Sequence, residues 1–366
     1  MIDLRLVASD EVPDALRAVL EGTAGPFAPI PDSPTEAARL HTVLKADQPV
    51  EEPDAAAVVA TSGSTGTPRA VVLSRSALMA AALASQDRLG GPGTWVSALA
   101  PHHVAGLMVH VRAHVAGRPA IVVDPALTTL GDVTLPDAPA YISLVPTQLY
   151  TALRRSDIRT ALRRYTVLLG GAAADRAELD RARDAGIQVV TTYGMSETCG
   201  GVVYDGRPLD GVHVGLDDDG RISLAGPTSF SGYRLDPEAT ARVLEGRTVI
   251  TSDRGAWVGE RLEVRGRLDD VVISGGVNVD IAQLQRIVDR AVGVQQVVVL
   301  GVPDPQWGSR IVAVTTHDIT LASLQERLDG RVEREALPRD LRRVDSLPMT
   351  SSGKVDRLAI ASSWIG

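Results

Sequence analysis

The chain has one cysteine, Cys199, so it cannot close an intramolecular disulfide. Aromatic residues make up only 3% of it, so any aromatic side chain in a short motif stands out. No uninterrupted apolar run approaches the roughly 20 residues that cross a bilayer, and Met1-Ile2-Asp3-Leu4-Arg5 lacks the basic region and apolar core of a secretion signal. The expectation is a cytoplasmic protein without stable membrane insertion. Basic residues do not dominate: the net charge of -8 argues against a general nucleic-acid binder. No internal repeat or low-complexity segment is present.

What is present is a chain of 366 residues, beyond what one hydrophobic core usually organises, so two domains are expected. A hydrophobic fraction of 44%, with 34 Gly and 22 Pro, is that of a turn-rich globular protein. Short apolar runs recur at Ala55 to Thr61, Trp95 to Ala98, Ala120 to Val123, Tyr141 to Val145, Val167 to Leu169 and Gln188 to Thr191, with helical stretches between several of them. That alternation predicts an α/β layering with a mostly parallel sheet. From Asp205 to Gly266, glycine-punctuated short strands predict a β-rich subdomain. After Leu268 the pattern changes to a compact α+β unit: a Gly-Gly hairpin in Val271 to Val279, helix Ile281 to Arg290, strands Gln296 to Val302 and Ile311 to Thr316, helix Leu321 to Glu335, and a strand near Leu341 to Val344. The expected domains are therefore 1–267 and 268–366.

The central stretch is ATSGSTGTPRAVVLS, Ala60 to Ser74. In Thr61-Ser62-Gly63-Ser64-Thr65-Gly66-Thr67-Pro68-Arg69, hydroxyls and glycines let backbone N–H and side-chain O–H groups converge on an anion, and Arg69 adds a permanent charge. A Walker A loop would lead into a helix, whereas Ala70-Val71-Val72-Leu73 reads as a strand. A decorated hairpin turn has the same composition. Other blocks invite chemistry and also have plain readings. His110 and His114, spaced i, i+4, share a helix face, but no third or fourth metal ligand sits at a suitable spacing, so a partly buried histidine face is the better reading. Gly170-Gly171-Ala172 follows a strand and would let a flat ring approach the backbone. In Thr192-Tyr193-Gly194-Met195-Ser196-Glu197-Thr198, Tyr193 could stack on a purine and Glu197 could bind Mg²⁺ as one hard oxygen ligand. Asp253 offers a carboxylate suited to two vicinal hydroxyls.

Elements taken in order along the chain resemble those of the adenylate-forming superfamily of acyl-CoA synthetases, luciferases and peptide-synthetase adenylation domains. Thr61 to Arg69 resembles its phosphate loop TSG[ST]TGxPK, with Arg69 in place of Lys. Pro101-His102-His103-Val104-Ala105-Gly106 resembles PxxHxxG, which implies that His103 lines the acyl pocket. Gly170-Gly171-Ala172 resembles the adenine-bordering GGA, and Tyr193 to Glu197 the YGxTE element, with Gly194 and Ser196 beside the nucleotide. Thr251-Ser252-Asp253 resembles the TGD element whose Asp binds ribose. Gly266-Arg267-Leu268-Asp269-Asp270 resembles the GRxDD hinge, with Arg267 on ribose and Asp269 as pivot. The stretch Pro348-Met349-Thr350-Ser351-Ser352-Gly353-Lys354 resembles the element that delivers a lysine to the reacting carboxylate and α-phosphate. One motif departs: where relatives read NIxPxEIE this chain has Asn278-Val279-Asp280-Ile281-Ala282-Gln283-Leu284-Gln285.

The resemblance implies a large N-terminal α/β domain with a β-rich subdomain and a small mobile α+β C-terminal domain. It implies ATP, Mg²⁺ and CoA as reactants or cofactors, a small carboxylic acid as partner, and Lys354, Glu197, Arg69 and His103 as the catalytic set. Mg²⁺ would be held by Glu197, and the face at Ser274, Gly275 and Gly276 would admit the thiol. Only 60 residues precede Thr61; this shortness, with PHHVAG and YGMSETCGG, resembles the o-succinylbenzoate-CoA ligases of menaquinone biosynthesis. Such a substrate keeps a second carboxylate ionised, for which His103 and Arg112 are candidate donors. Another aryl- or fatty-acyl-CoA ligase, or a stand-alone enzyme loading a carrier protein, stays open, as does a homodimer.

Overall fold

Apolar alternation and β-branched residues dictate the strands, and the tertiary structure sorts them into four sheets among the described residues. The computed structural model describes residues 2–61, 68–293, 297–350 and 355–364. By density of contacts the chain divides into two units. The first is Met1–Gly215, Ser223–Thr251 and Gly259–Arg261; the second is Leu216–Ile222, Ser252–Val258 and Leu262–Gly366.

In the first unit a seven-stranded sheet runs Arg207–Pro208, Gly200–Tyr204, Gln188–Met195, Thr166–Leu169, Ala140–Leu144, Thr94–Ser97 and Ile121–Val122. The last five of these are mutually parallel, and the first two close one edge as antiparallel strands. Parallel strands need helical crossovers. Those present include Val104–Val115, Pro146–Arg154 and Arg176–Asp184. A separate mixed sheet orders Arg5–Val7, Phe27–Pro29, Ala55–Thr61, Arg69–Ser74 and Gly232–Tyr233. The predicted parallel layering is thus present, joined by a second sheet that the apolar runs did not separate from the first.

The β-rich segment forms its own sheet from His213–Leu216, Arg221–Ala225, Thr248–Val258 and Leu244–Glu245, with Arg261–Arg267 paired to Thr248–Val258. It also contains the helix Pro237–Val243, which the glycine punctuation concealed. In the second unit, Val271–Ser274 and Val277–Asp280 make the expected hairpin. Gly275 (φ 58) and Gly276 (φ 87) occupy its two-residue turn, a left-handed pair that side-chain-bearing residues resist. Helix Ile281–Val292 buries Ile281, Leu284 and Val288 on one face. The helix expected over Leu321 to Glu335 stops at Leu328, because Asp329 leaves the helical conformation and Gly330 turns the chain at φ 67; Arg334–Ala336 is a separate 3-10 turn.

Candidate active site

Two paired strands flank the central stretch. Strands Ala55–Thr61 and Arg69–Ser74 are antiparallel neighbours, with Thr61 opposite Arg69, and the Thr61 hydroxyl donates to the Arg69 carbonyl at 3.4 Å. Ser62, Gly63, Ser64, Thr65 and Gly66 lie outside the described residues, as does Lys354.

Arg69 sits where a strand end, a tyrosine and a carboxylate come together. Its guanidinium lies 5.1 Å from the ring centre of Tyr233, and the Tyr233 hydroxyl donates to Glu197 Oε1 at 2.8 Å. Burial first, and then the neighbouring Glu197 carboxylate, push the Tyr233 hydroxyl well above its usual range, so it stays a donor. Phe230 packs edge-on against Tyr233 with centroids 5.1 Å apart, and its backbone N–H donates to the Glu197 carbonyl at 2.8 Å. Glu197 is therefore held through both backbone and side chain. Tyr233 was not among the residues expected here. Its signal was the scarcity of aromatics: Phe230 and Tyr233 fall within four positions in a chain with two Phe and six Tyr.

Tyr193 and Gly194 are still on the strand Gln188–Met195, which runs four residues beyond its expected end. Gly194 must be glycine, because a Cβ there would come within 2.0 Å of the Gly200 carbonyl oxygen on the adjacent strand. Ser196–Thr198 is a 3-10 turn, in which the Thr198 hydroxyl accepts from Met195 N–H at 3.0 Å, and Glu197 lies within it directly after the strand end. Cys199, fully buried, has its thiol pushed up to about 12 by burial, so it is a packed neutral group and no nucleophile. Gly170 abuts Thr192, whose Oγ1 would lie 2.3 Å from an added Cβ. Gly171 takes φ 83, and it and Ala172 are exposed after the strand Thr166–Leu169.

His103 is the N-cap position of helix Val104–Val115. The Gly three residues on lets that helix start against the preceding turn, since a Cβ at Gly106 would meet the Ala100 carbonyl oxygen at 2.2 Å. The His102 ring lies 4.3 Å from that of His103, and burial with the adjacent His103 lowers His102 to about 4, so at neutral pH it is uncharged. His110 is buried and likewise lowered to about 4 by burial. Among the described residues no group of three His, Cys, Asp or Glu could hold a metal by itself. The lone Glu197 carboxylate, anchored by the Tyr233 hydroxyl, has the hard-oxygen chemistry of a single protein donor to a magnesium ion that phosphates would otherwise hold.

The second unit brings together three further expected residues. Arg267 forms a two-pronged pair with Asp269 (2.7 and 2.8 Å) and reaches Asp253 at 3.5 Å. Asp280, at the position where the hinge-following motif departs, caps helix Ile281–Val292 through Gln283 N–H at 2.8 Å and pairs with Arg254 at 2.6 Å. Gly275 lies against the Trp307 ring, which an added Cβ would meet at 2.9 Å, and Gly276 faces open space.

The AMP-binding enzyme pattern matches residues 5–236 and the AMP-binding enzyme C-terminal domain matches residues 285–354. The chain is 39% identical to a probable 2-succinylbenzoate–CoA ligase of Mycobacterium tuberculosis, over 96% of this chain and 94% of that one. It is 30% identical to a 2-succinylbenzoate–CoA ligase of Listeria monocytogenes, over 83% of this chain and 69% of the other. Among solved structures, ATP-bound MatB from Rhodopseudomonas palustris superposes with TM-score 0.84 at 21% identity, covering 100% of this chain and 89% of that one. The Bacillus subtilis o-succinylbenzoate CoA synthetase in complex with its acyl-adenylate gives 0.75 at 23% identity, with 98% and 82% covered. Family pattern, end-to-end similarity and fold agree: the chain belongs to the AMP-binding, adenylate-forming enzyme family.

Proposed function

We propose that the protein is an AMP-forming acid–thiol ligase that activates 2-succinylbenzoate with ATP and passes the acyl group to CoA. The observation that carries this reading is the 39% identity to a 2-succinylbenzoate–CoA ligase across 96% of the chain. First, a carboxylate oxygen of the acid attacks the α-phosphorus of ATP, and the bond to the leaving pyrophosphate breaks. Then the thiol sulfur attacks the acyl carbon, AMP departs with the carboxylate oxygen, and the thiol proton goes to solvent.

Two anions meet in the first step, so positive charge has to be fixed in place beforehand. Mg²⁺ would supply part of it by neutralising phosphate charge, with Glu197 as its protein ligand. Arg69 is held over Tyr233 and is assigned to phosphate, and the hydroxyl-rich loop from Ser62 to Gly66 to the same anion. Tyr193 and the segment Gly170 to Ala172 are assigned to adenine, Asp253 and Arg267 to ribose, and His103 to the acyl pocket. Lys354 is assigned to the reacting carboxylate and α-phosphate. For the second step we place the functional boundary between residues 267 and 268, with Asp269 as pivot and Gly275-Gly276 facing the thiol. The Arg267–Asp269 pairing supports this, because a pivot clamped to its neighbour has a defined orientation to leave and regain.

Incubation with MgATP, CoA and 2-succinylbenzoate, beside benzoate and a medium-chain fatty acid, tests the reading by the mass of the acyl-CoA formed. Product from the dicarboxylate alone is expected, and Lys354→Ala should lower adenylate formation by about 10²–10³-fold. Acyl-CoA from one of the other acids instead would reassign the substrate. Adenylate without acyl-CoA would move the acceptor to a carrier-protein thiol.

A further inference from the structure

The first unit contains a cavity of about 340 Å³ that none of the expected site residues lines. Its walls are Arg88, Leu89, Val190, Tyr204, Asp205, Arg207 and Arg261. Val190 sits early on the strand Gln188–Met195, five residues before Met195. At the rise of a strand, that places the cavity about 16 Å from the strand end that Glu197 follows. The volume is of the size that takes small molecules.

Charge sets this cavity apart. Three guanidiniums, of Arg88, Arg207 and Arg261, line it against one carboxylate, Asp205, an excess of two positive charges. That carboxylate is committed to the sheet: its Oδ1 accepts from the Thr191 N–H at 2.8 Å and from the Thr191 hydroxyl at 2.9 Å. The Tyr204 hydroxyl is paired with Ser85 at 2.8 Å. The side chains left to meet a polar ligand are therefore the arginines.

Three arginines brought together repel one another, and the fold offsets this only in part. Arg88 donates to the carbonyls of Arg207 at 3.2 Å and Pro208 at 2.5 Å, which fixes it at the sheet edge, and lies 3.7 Å from Asp210. Arg207 pairs with Glu260 at 3.1 Å. The Asp210 and Glu260 side chains are 88% and 86% exposed, so both pairs are weak and readily exchanged for another anion. Arg261 has no carboxylate partner among the described residues. An adjoining hollow of about 260 Å³ makes the contrast: Arg183 and the same Asp205 balance each other in its lining, and Arg183 is already paired with Asp180 at 2.5 Å.

A guanidinium fork matches the paired oxygens of a phosphate or carboxylate. Leu89 and Val190 add an apolar wall beside the forks. We propose that this cavity binds a small dianion with an apolar body, held by Arg207 and Arg261 in the field of Arg88, at a site separate from those assigned to nucleotide and acid. Its chemical class is a compact oxyanion, a phosphate monoester or a dicarboxylate, whose two charges complete the set of arginines.

Calorimetric titration of the full chain with phenyl phosphate and with phthalate tests this in the wild type, Arg261→Gln, Glu260→Gln and Arg69→Gln. Arg261 and Glu260 are both exposed, so neither change removes packing. Arg261→Gln should weaken binding of the preferred probe about tenfold, the scale of one hydrogen bond to a charged group. Glu260→Gln should tighten it about threefold, because it releases Arg207 and removes a competing negative charge. Arg69→Gln, beside the expected phosphate loop, should leave it unchanged. Tighter binding of phenyl phosphate would identify the ligand as a phosphate monoester, and tighter binding of phthalate as a dicarboxylate. No binding of either probe to the wild type, unchanged affinity in both Arg261→Gln and Glu260→Gln, or loss in Arg69→Gln in place of Arg261→Gln would overturn the proposal.

Discussion

Tyr233 illustrates how little of a candidate site is carried by its motif residues alone. Glu197 and Arg69 lie in separate motifs, yet one phenol ring touches both: its face meets the guanidinium and its hydroxyl meets the carboxylate. Removing that hydroxyl would free Glu197 to rotate and leave Arg69 over a ring with no anchor. Tyr233→Phe is expected to lower kcat about tenfold, the equivalent of a hydrogen bond of about 1.4 kcal/mol to a charged group. It should also raise the Mg²⁺ concentration needed for half-maximal rate. Titrating Mg²⁺ against initial rate in the two proteins checks both; an unaltered Mg²⁺ requirement would separate Tyr233 from the metal role proposed for Glu197.

The elements explain why these residues are where they are. Strand Gly232–Tyr233 pairs antiparallel with Arg69–Ser74, which puts Tyr233 opposite Val71 and two residues along the strand from Arg69. The next residue, Arg234, fastens the strand by donating to four carbonyls between Leu44 and Pro49, the segment that follows helix Pro34–Leu44. Arg234→Met leaves those carbonyls without donors and is expected to cost about 3 kcal/mol of stability. Chemical unfolding of the two proteins measures it. Arg234 is 4% exposed and touches no expected substrate residue, so KM for the acid should change much less than the unfolding midpoint.

At the scale of the molecule the buried histidines set a pH limit. His102 and His110 are both lowered from about 6.5 to about 4, chiefly by burial. The folded state therefore resists protonation that the unfolded chain accepts below about 6.5. Their contribution is fully present above that pH and is lost as pH falls toward 4, by up to about 1.4 kcal/mol per pH unit for each histidine. Urea unfolding at pH 7 and at pH 4.5 should show the decline, and His110→Leu should flatten it; an equal decline in that variant would remove His110 from the account. Over the described residues no helix is long and apolar enough to cross a membrane.

Local chemistry was enough to locate most of the fold and the family. Strand-forming runs and Gly-Gly turns declare themselves over a few neighbouring residues, so the parallel strands and the hairpin at Gly275-Gly276 were readable. Where neighbours compete, reading failed: the helix begun at Leu321 looked continuous until Asp329-Gly330 broke it, and the second sheet in the first unit depends on pairings between distant strands. Tyr233 on Glu197, 36 positions away, and Arg112 against Tyr204, 92 positions away, come from the same cause. Contacts across such separations are created by register and packing, and a burial that wraps the Arg234 guanidinium in backbone carbonyls exists only once the chain has folded.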